Sequence, residues 1–206
     1  MWCRDNKEVV VDFRRVPTPK PPLTIDGAAV ERVSSTKFLG VHISEDLSWT
    51  TNTTSLAKKS QQRLYFLRKL KRARAPPSIM CSFYRGTIES ILTSCITVWL
   101  GSCTAANRKT LQCTVKAAER IIGVPLPSLL DLYGTHLTHK ATSIVRDPTH
   151  PSHSLFSLLP SGRRYHSLRA GSTRLGNRFF HQAVTGGSLT LSPLFLPSRL
   201  PPRTLD

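Results

Sequence analysis

The spacing of apolar positions changes sharply near residue 50. Before it, short β-branched runs alternate with turn formers. KEVVVDFRR at 7–15 is of strand type, Pro17 to Pro22 make a stiff connector, and LTI and AAVERV flank Asp26-Gly27, a pair suited to a two-residue hairpin turn. Phe38, Val41 and Ile43 read as one further short strand, with Gly40 where a bulge or a close backbone approach is tolerated. Residues 7–44 are therefore expected to form a small, mostly antiparallel β unit.

After residue 50 the period becomes helical. In TTSLAKKSQQRLYFLRKLKRAR, Leu56, Ala57, Leu64, Leu67 and Leu70 fall near one face, Ser or Thr caps the start, and Pro76-Pro77 stop it. SIMCSFYRGTIESILTSCITVW at 78–99 carries the widest apolar stripe and predicts a core helix. A third helix places Leu111, Val115, Ala118 and Ile122 at spacings of three and four before Gly123 and Pro125 end it. A fourth runs from a Ser128 cap through Leu129, Tyr133, Leu137, Ala141 and Ile144. The expected fold class is α+β: a small antiparallel β unit, then a basic helical bundle, then a disordered tail. The expected boundaries are 1–50 for the β unit, 51–146 for the helices, 147–185 for a basic extension with a short helix near 178–184, and 186–206 for the Gly-Ser-Pro tail.

Charge sharpens this division. The first fifty residues hold seven acids and seven bases and are neutral, so the net charge of +17 resides wholly after residue 50. Such a distribution attracts a polyanion. The polar face of the first helix carries Lys58, Lys59, Arg63, Arg68, Lys69, Lys71, Arg72 and Arg74, with no acid between Asp46 and Glu89. Eight bases without an intervening acid forgo i,i+4 ion pairs and repel one another until an anion neutralises them. The expected partner is therefore an RNA or DNA duplex held by phosphate contacts. Arg163 and Arg164, mixed with Phe156, Tyr165, Phe179 and Phe180, add a second set of candidate contacts, the two Phe being equally suited to a core.

Several chemistries lack their residues. The five Cys form no C-x-x-C pair, so reduced thiols are expected. The pairs His136/His139 and His150/His153 fit no zinc-finger spacing and read as surface or loop histidines, so no metal and no cofactor is expected. No His-x-Asp opens an iron site, no Gly-rich loop cradles phosphate, and no G-x-S-x-G presents a nucleophile. No apolar run approaches the ~20 residues that cross a bilayer. The expectation is an intracellular chain, nuclear or cytoplasmic, with no membrane partner; the sequence specifies no oligomeric state.

Several long phrases carry a resemblance. NKEVVVDFRR, LTIDGAAVERVSSTKFLGVHISEDLSW, the run from QQRLYFLRKLKRAR to ANRKTLQ, AAERIIGVPLPSL and DPTHPSHSLFSLLPSGRRYHSLR together resemble the carboxy-terminal part of reverse transcriptases from fish LINE-type non-LTR retrotransposons. The resemblance covers most of residues 6–184. It implies that Phe38, Leu39 and Gly40 in KFLGVHI are primer-grip-like, and that the basic helix and its successors are thumb-like. A polymerase of that family needs paired aspartates to hold two metal ions, and no Asp-Asp occurs in this sequence. The resemblance thus implies a non-catalytic nucleic-acid-binding remnant, with the aspartate pair upstream in the parent enzyme.

The phrase VDFRR, LTIDG, KFLGV in residues 1–50 is also similar to sequences grouped with the amino-terminal domain of the eighth AlkB homologue, a tRNA-modifying protein of the alkylated-DNA-repair class. That similarity implies an accessory segment of an oxidoreductase or methyltransferase, although the iron triad and the methyl-donor loop are missing here. A chain without selected function is the third alternative.

Overall fold

The computed structural model describes residues 7–14, 20–160, 164–167, 171 and 176–185. The tail expected to be disordered, 186–206, lies outside them, as does Arg163. The α+β class holds: among the described residues six short strands precede a helical region.

Two hairpins dominate the β unit. Strands β2 (Thr24–Ile25) and β3 (Ala28–Ala29) pair antiparallel about Asp26-Gly27, whose φ values of 51° and 78° are those of a type I′ turn. Strands β5 (Ser35–Phe38) and β6 (Val41–Ser44) pair about Leu39-Gly40 with φ values of 46° and 87°. The single strand expected from Phe38 to Ile43 is thus a hairpin, and Gly40 is the second turn residue rather than a bulge. Leu39 hides that turn in the sequence, because a γ-branched residue at positive φ is disfavoured by about 1–2 kcal/mol.

The antiparallel expectation fails at one place. Strand β1 (Lys7–Glu8) runs parallel to β4 (Glu31–Arg32), with Lys7 opposite Glu31 and Glu8 opposite Arg32. The chain between them includes the β2–β3 hairpin and returns in its starting direction, which is the long crossover a parallel pair requires. Arg32 closes this ladder: its Nη2 lies 2.8 Å from Glu8 Oε1, and its Nη1 and Nη2 donate to the carbonyls of Lys20 and Pro21 at 3.1 and 3.2 Å.

Helix α1 spans Thr50–Arg72. It starts three residues before the expected Thr53, and buried Trp49 stands at its N-cap without a side-chain bond. Thr53 instead turns its hydroxyl back to the Trp49 carbonyl at 2.9 Å. At the other end Arg74 N donates to Lys71 O and Ala75 N to Leu70 O, both at 3.1 Å, with Arg74 at φ 57°. This is a Schellman closure with Arg in the place glycine usually fills.

The stripe expected as one helix over 78–99 is three helical pieces with a wide turn. Helix α2 (Pro77–Tyr84) passes through a π-turn, Arg85–Glu89, into α3 (Ser90–Thr93), and α4 (Ile96–Trp99) comes after Cys95 at φ 50°. Met80, Tyr84, Ile88, Leu92 and Ile96 are all buried at intervals of four. In an ideal α-helix that interval drifts by about 40° per step. The π-turn absorbs part of the drift, since Ser90 N reaches back five residues to Arg85 O. The break at Ser94-Cys95 resets the rest, and Trp99 Nε1 donates to the freed Ser94 carbonyl at 2.9 Å.

Helix α5 (Ala105–Ile122) matches the sequence expectation closely. Thr104 caps it through Asn107 N at 3.2 Å, Gly123 ends it at φ 86°, and its buried face of Leu111, Val115, Ala118 and Ile122 lies against α1. The chain divides into two compact units, 1–129 and 130–206. In the second, α6 (Leu129–Arg146) and α7 (Phe179–Thr185) build a separate core of Leu137, Ala141, Ile144, Phe156 and Ala183. The fourth helix of the expected 51–146 bundle therefore packs with the extension that comes after it. No helix among the described residues is long and apolar enough to cross a membrane.

Candidate nucleic-acid interface

Helix α1 buries Asn52, Thr53, Leu56, Ser60, Leu64 and Leu67. Opposite that face, Lys58, Tyr65, Lys69 and Arg72 recur at intervals of seven, four and three and form one exposed stripe, with Arg68 beside Arg72 one turn away. Lys71 and Arg74 are exposed as well, and Lys59 is half-buried. The described ion pairs are Arg14–Asp12 and Arg32–Glu8, and none of the eight bases takes part in either.

Arg63 has another task. It is half-buried, and its Nη1 donates to the Thr87 carbonyl of the π-turn at 2.5 Å. The sequence groups it with the solvent-facing bases; the structure makes it a strut from α1 to the neighbouring helix. Nothing in its spacing marks this, because the bond depends on a turn type that the sequence does not reveal.

Aromatic side chains interrupt the stripe. Tyr65 and Phe66 are 52% and 56% exposed and meet edge to face at 5.5 Å, and Lys69 Nζ lies 5.4 Å from the Tyr65 ring centre. Beside them a cleft of about 610 Å³ opens between α1 and α2, lined by Arg63, Phe66, Lys69, Leu70, Ala73, Phe83 and Thr87. The helix period does not single out Tyr65 and Phe66, although two adjacent aromatics between Arg63 and Arg68 are visible in the sequence.

The other sequence candidates divide. Phe38, Leu39 and Gly40 form the β5–β6 tip, where Phe38 is 62% and Leu39 80% exposed. Asn52 Oδ1 accepts from His42 N at 3.2 Å, tying β6 to α1. In the second unit Arg164 is exposed and its carbonyl accepts from Leu159 N at 2.8 Å. Phe179 and Phe180 pack on the α6 core, Phe180 5.4 Å from Phe156, with Lys140 Nζ 5.0 Å from the Phe179 ring centre. Their even choice between stacking surface and core falls on the core side.

The histidine pairs have local partners or face solvent. His150 Nδ1 accepts from Ser152 N at 3.0 Å, His153 Nδ1 bonds the Ile144 carbonyl at 3.1 Å, and His136 and His139 are exposed. Burial pushes the Cys103 thiol up to about 11, against the pull of Arg108. Tyr84, wholly buried, is raised by desolvation first and by the Glu89 carboxylate second.

Residues 49–90 match the family model of alkylated DNA repair protein alkB homolog 8, N-terminal. The match covers α1, α2 and the π-turn, and it overlaps the 1–50 stretch, whose phrases carry the sequence similarity, at residues 49 and 50 alone. No curated protein and no solved structure matches the chain. Among the described residues no three His, Cys, Asp or Glu side chains converge on a place that could hold a metal ion.

Proposed function

We propose that this chain is a non-catalytic nucleic-acid-binding protein whose helix α1 lies along the phosphate backbone of an RNA or DNA duplex. The exposed cationic face of α1, whose bases join no described ion pair, carries this reading. From Lys58 to Arg72 the helix extends about 21 Å, which spans about six phosphates of one strand. Only Lys58, Arg68, Lys69 and Arg72 share the outer side, so about four simultaneous phosphate contacts is the better figure. Log affinity should then fall against log salt with a slope of about −3 to −4. Replacing these four residues with Gln should remove most of that slope at unchanged stability; a slope that survives the replacement refutes the interface.

The finer form of the reading is descent from a retrotransposon reverse transcriptase, with Phe38, Leu39 and Gly40 as a primer-grip-like tip. The ordered phrases of the sequence and the exposure of that tip support it. The family match at 49–90 favours a second reading, an accessory segment of an AlkB-type tRNA-modifying protein. Both readings give α1 a nucleic-acid partner. They part over the partner: a rise in 2-oxoglutarate turnover when this chain is added to an AlkB-type catalytic domain belongs to the second alone.

A further inference from the structure

We infer that the cleft between α1 and α2 receives one unpaired nucleobase of a single strand, stacked on Phe66, while Lys69 holds the adjoining phosphate. This rests on the nucleic-acid reading above and names a ligand class within it. Three observations converge. Phe66 stands 56% exposed and lines the cleft, whereas Leu56, Leu64 and Leu67 of the same helix are buried. Leu70 and half-buried Phe83 give the cleft an apolar wall. Lys69 lines the same cleft, as does Arg63, which is bound through Nη1 to Thr87.

An apolar wall with cations and no described acid among its lining residues suits an anion with a flat apolar body. A nucleotide in a paired helix does not present its base face, whereas a single strand does. The cleft volume of about 610 Å³ lies within the ~300–1,000 Å³ of small-ligand sites and exceeds what one base needs. The duplex contact on the stripe of Lys58 and Arg72 and the base contact at Phe66 are neighbouring and separable. A junction between paired and unpaired strand would engage both.

The test uses the full chain, a short single strand with one 2-aminopurine, and a duplex of equal length. Wild type should quench the 2-aminopurine on binding. Phe66→Ala should abolish the quench and weaken single-strand binding about fivefold to hundredfold, with duplex affinity within twofold. Phe66→Trp should restore both, which separates stacking from a packing fault. Equal losses on single strand and duplex, or no loss on either, would overturn the stacking site while leaving the duplex interface standing. Absence of salt-sensitive binding to both probes would overturn the interface and the cleft together. A mononucleotide that binds as tightly as the strand would reassign the cleft to free nucleotides and overturn the strand assignment.

Discussion

The β unit and helix α1 use arginine in opposite ways. In the β unit, Arg14 and Arg32 each meet a carboxylate, and Arg32 adds two backbone carbonyls that close the parallel ladder. The Arg14 guanidinium also holds the Asp12 carboxyl well below its ordinary range. Along α1 the same residue type faces solvent, and no described ion pair joins it. Arg63 is the exception and behaves like the β-unit arginines. Charge near the amino terminus is therefore absorbed by the fold, while charge on α1 is left available. A net-charge figure alone would not separate these cases.

Arg63 offers the sharpest challenge to that division. Arg63→Ala should destabilise the first unit by about 1–3 kcal/mol, because the Thr87 carbonyl loses its donor in a part-buried place. Chemical unfolding would show this as a lower midpoint at unchanged slope, and the salt dependence of nucleic-acid binding should barely move. Loss of binding at full stability would instead place Arg63 with the outer bases.

Arg74 tests the opposite side. At φ 57° it occupies the closure position where glycine carries no Cβ penalty, so Arg74→Gly should stabilise the chain by about 1 kcal/mol. The same change removes one exposed cation and should weaken duplex binding slightly. A thermal melt paired with a binding titration would show the two effects moving apart.

The smallest effect belongs to the β unit. Arg32→Ala removes a pair whose arginine is 41% exposed, so the cost should be about 0–1 kcal/mol after solvent screening. Affinity for nucleic acid should stay as it was. A drop in affinity would mean that the neutral β unit takes part in binding.

How much of the molecule is legible in the sequence depends on how local each signal is. The Asp26-Gly27 turn and the Thr104 cap are each specified by adjacent residues, and Gly123 ends α5 by its own conformational freedom. The outer cations of α1 are equally plain, since no acid interrupts them. The Leu39-Gly40 turn is not, because its first residue is atypical for positive φ. The β1–β4 ladder joins residues far apart in sequence, which alternation cannot pair. The strut from Arg63 and the cleft beside Phe66 both depend on how α2 lies against α1, and a helical period says nothing about a neighbour's position. The helix ending at Arg146 shows its apolar face in the sequence, but not that Phe156 and Ala183 cover it.

The wide turn at Arg85–Glu89 bears on which genetic changes this chain tolerates. Gly86 has open space where a side chain would grow, so replacement there is sterically free. Deletion of one residue is a different event. The wide turn holds one residue more than a regular turn, so its loss would let the segment relax into a regular helix while Leu92 and the residues after it keep their face. A second deletion finds no such slack and would rotate them by about 100°. The segment therefore resembles a chain with one spare link.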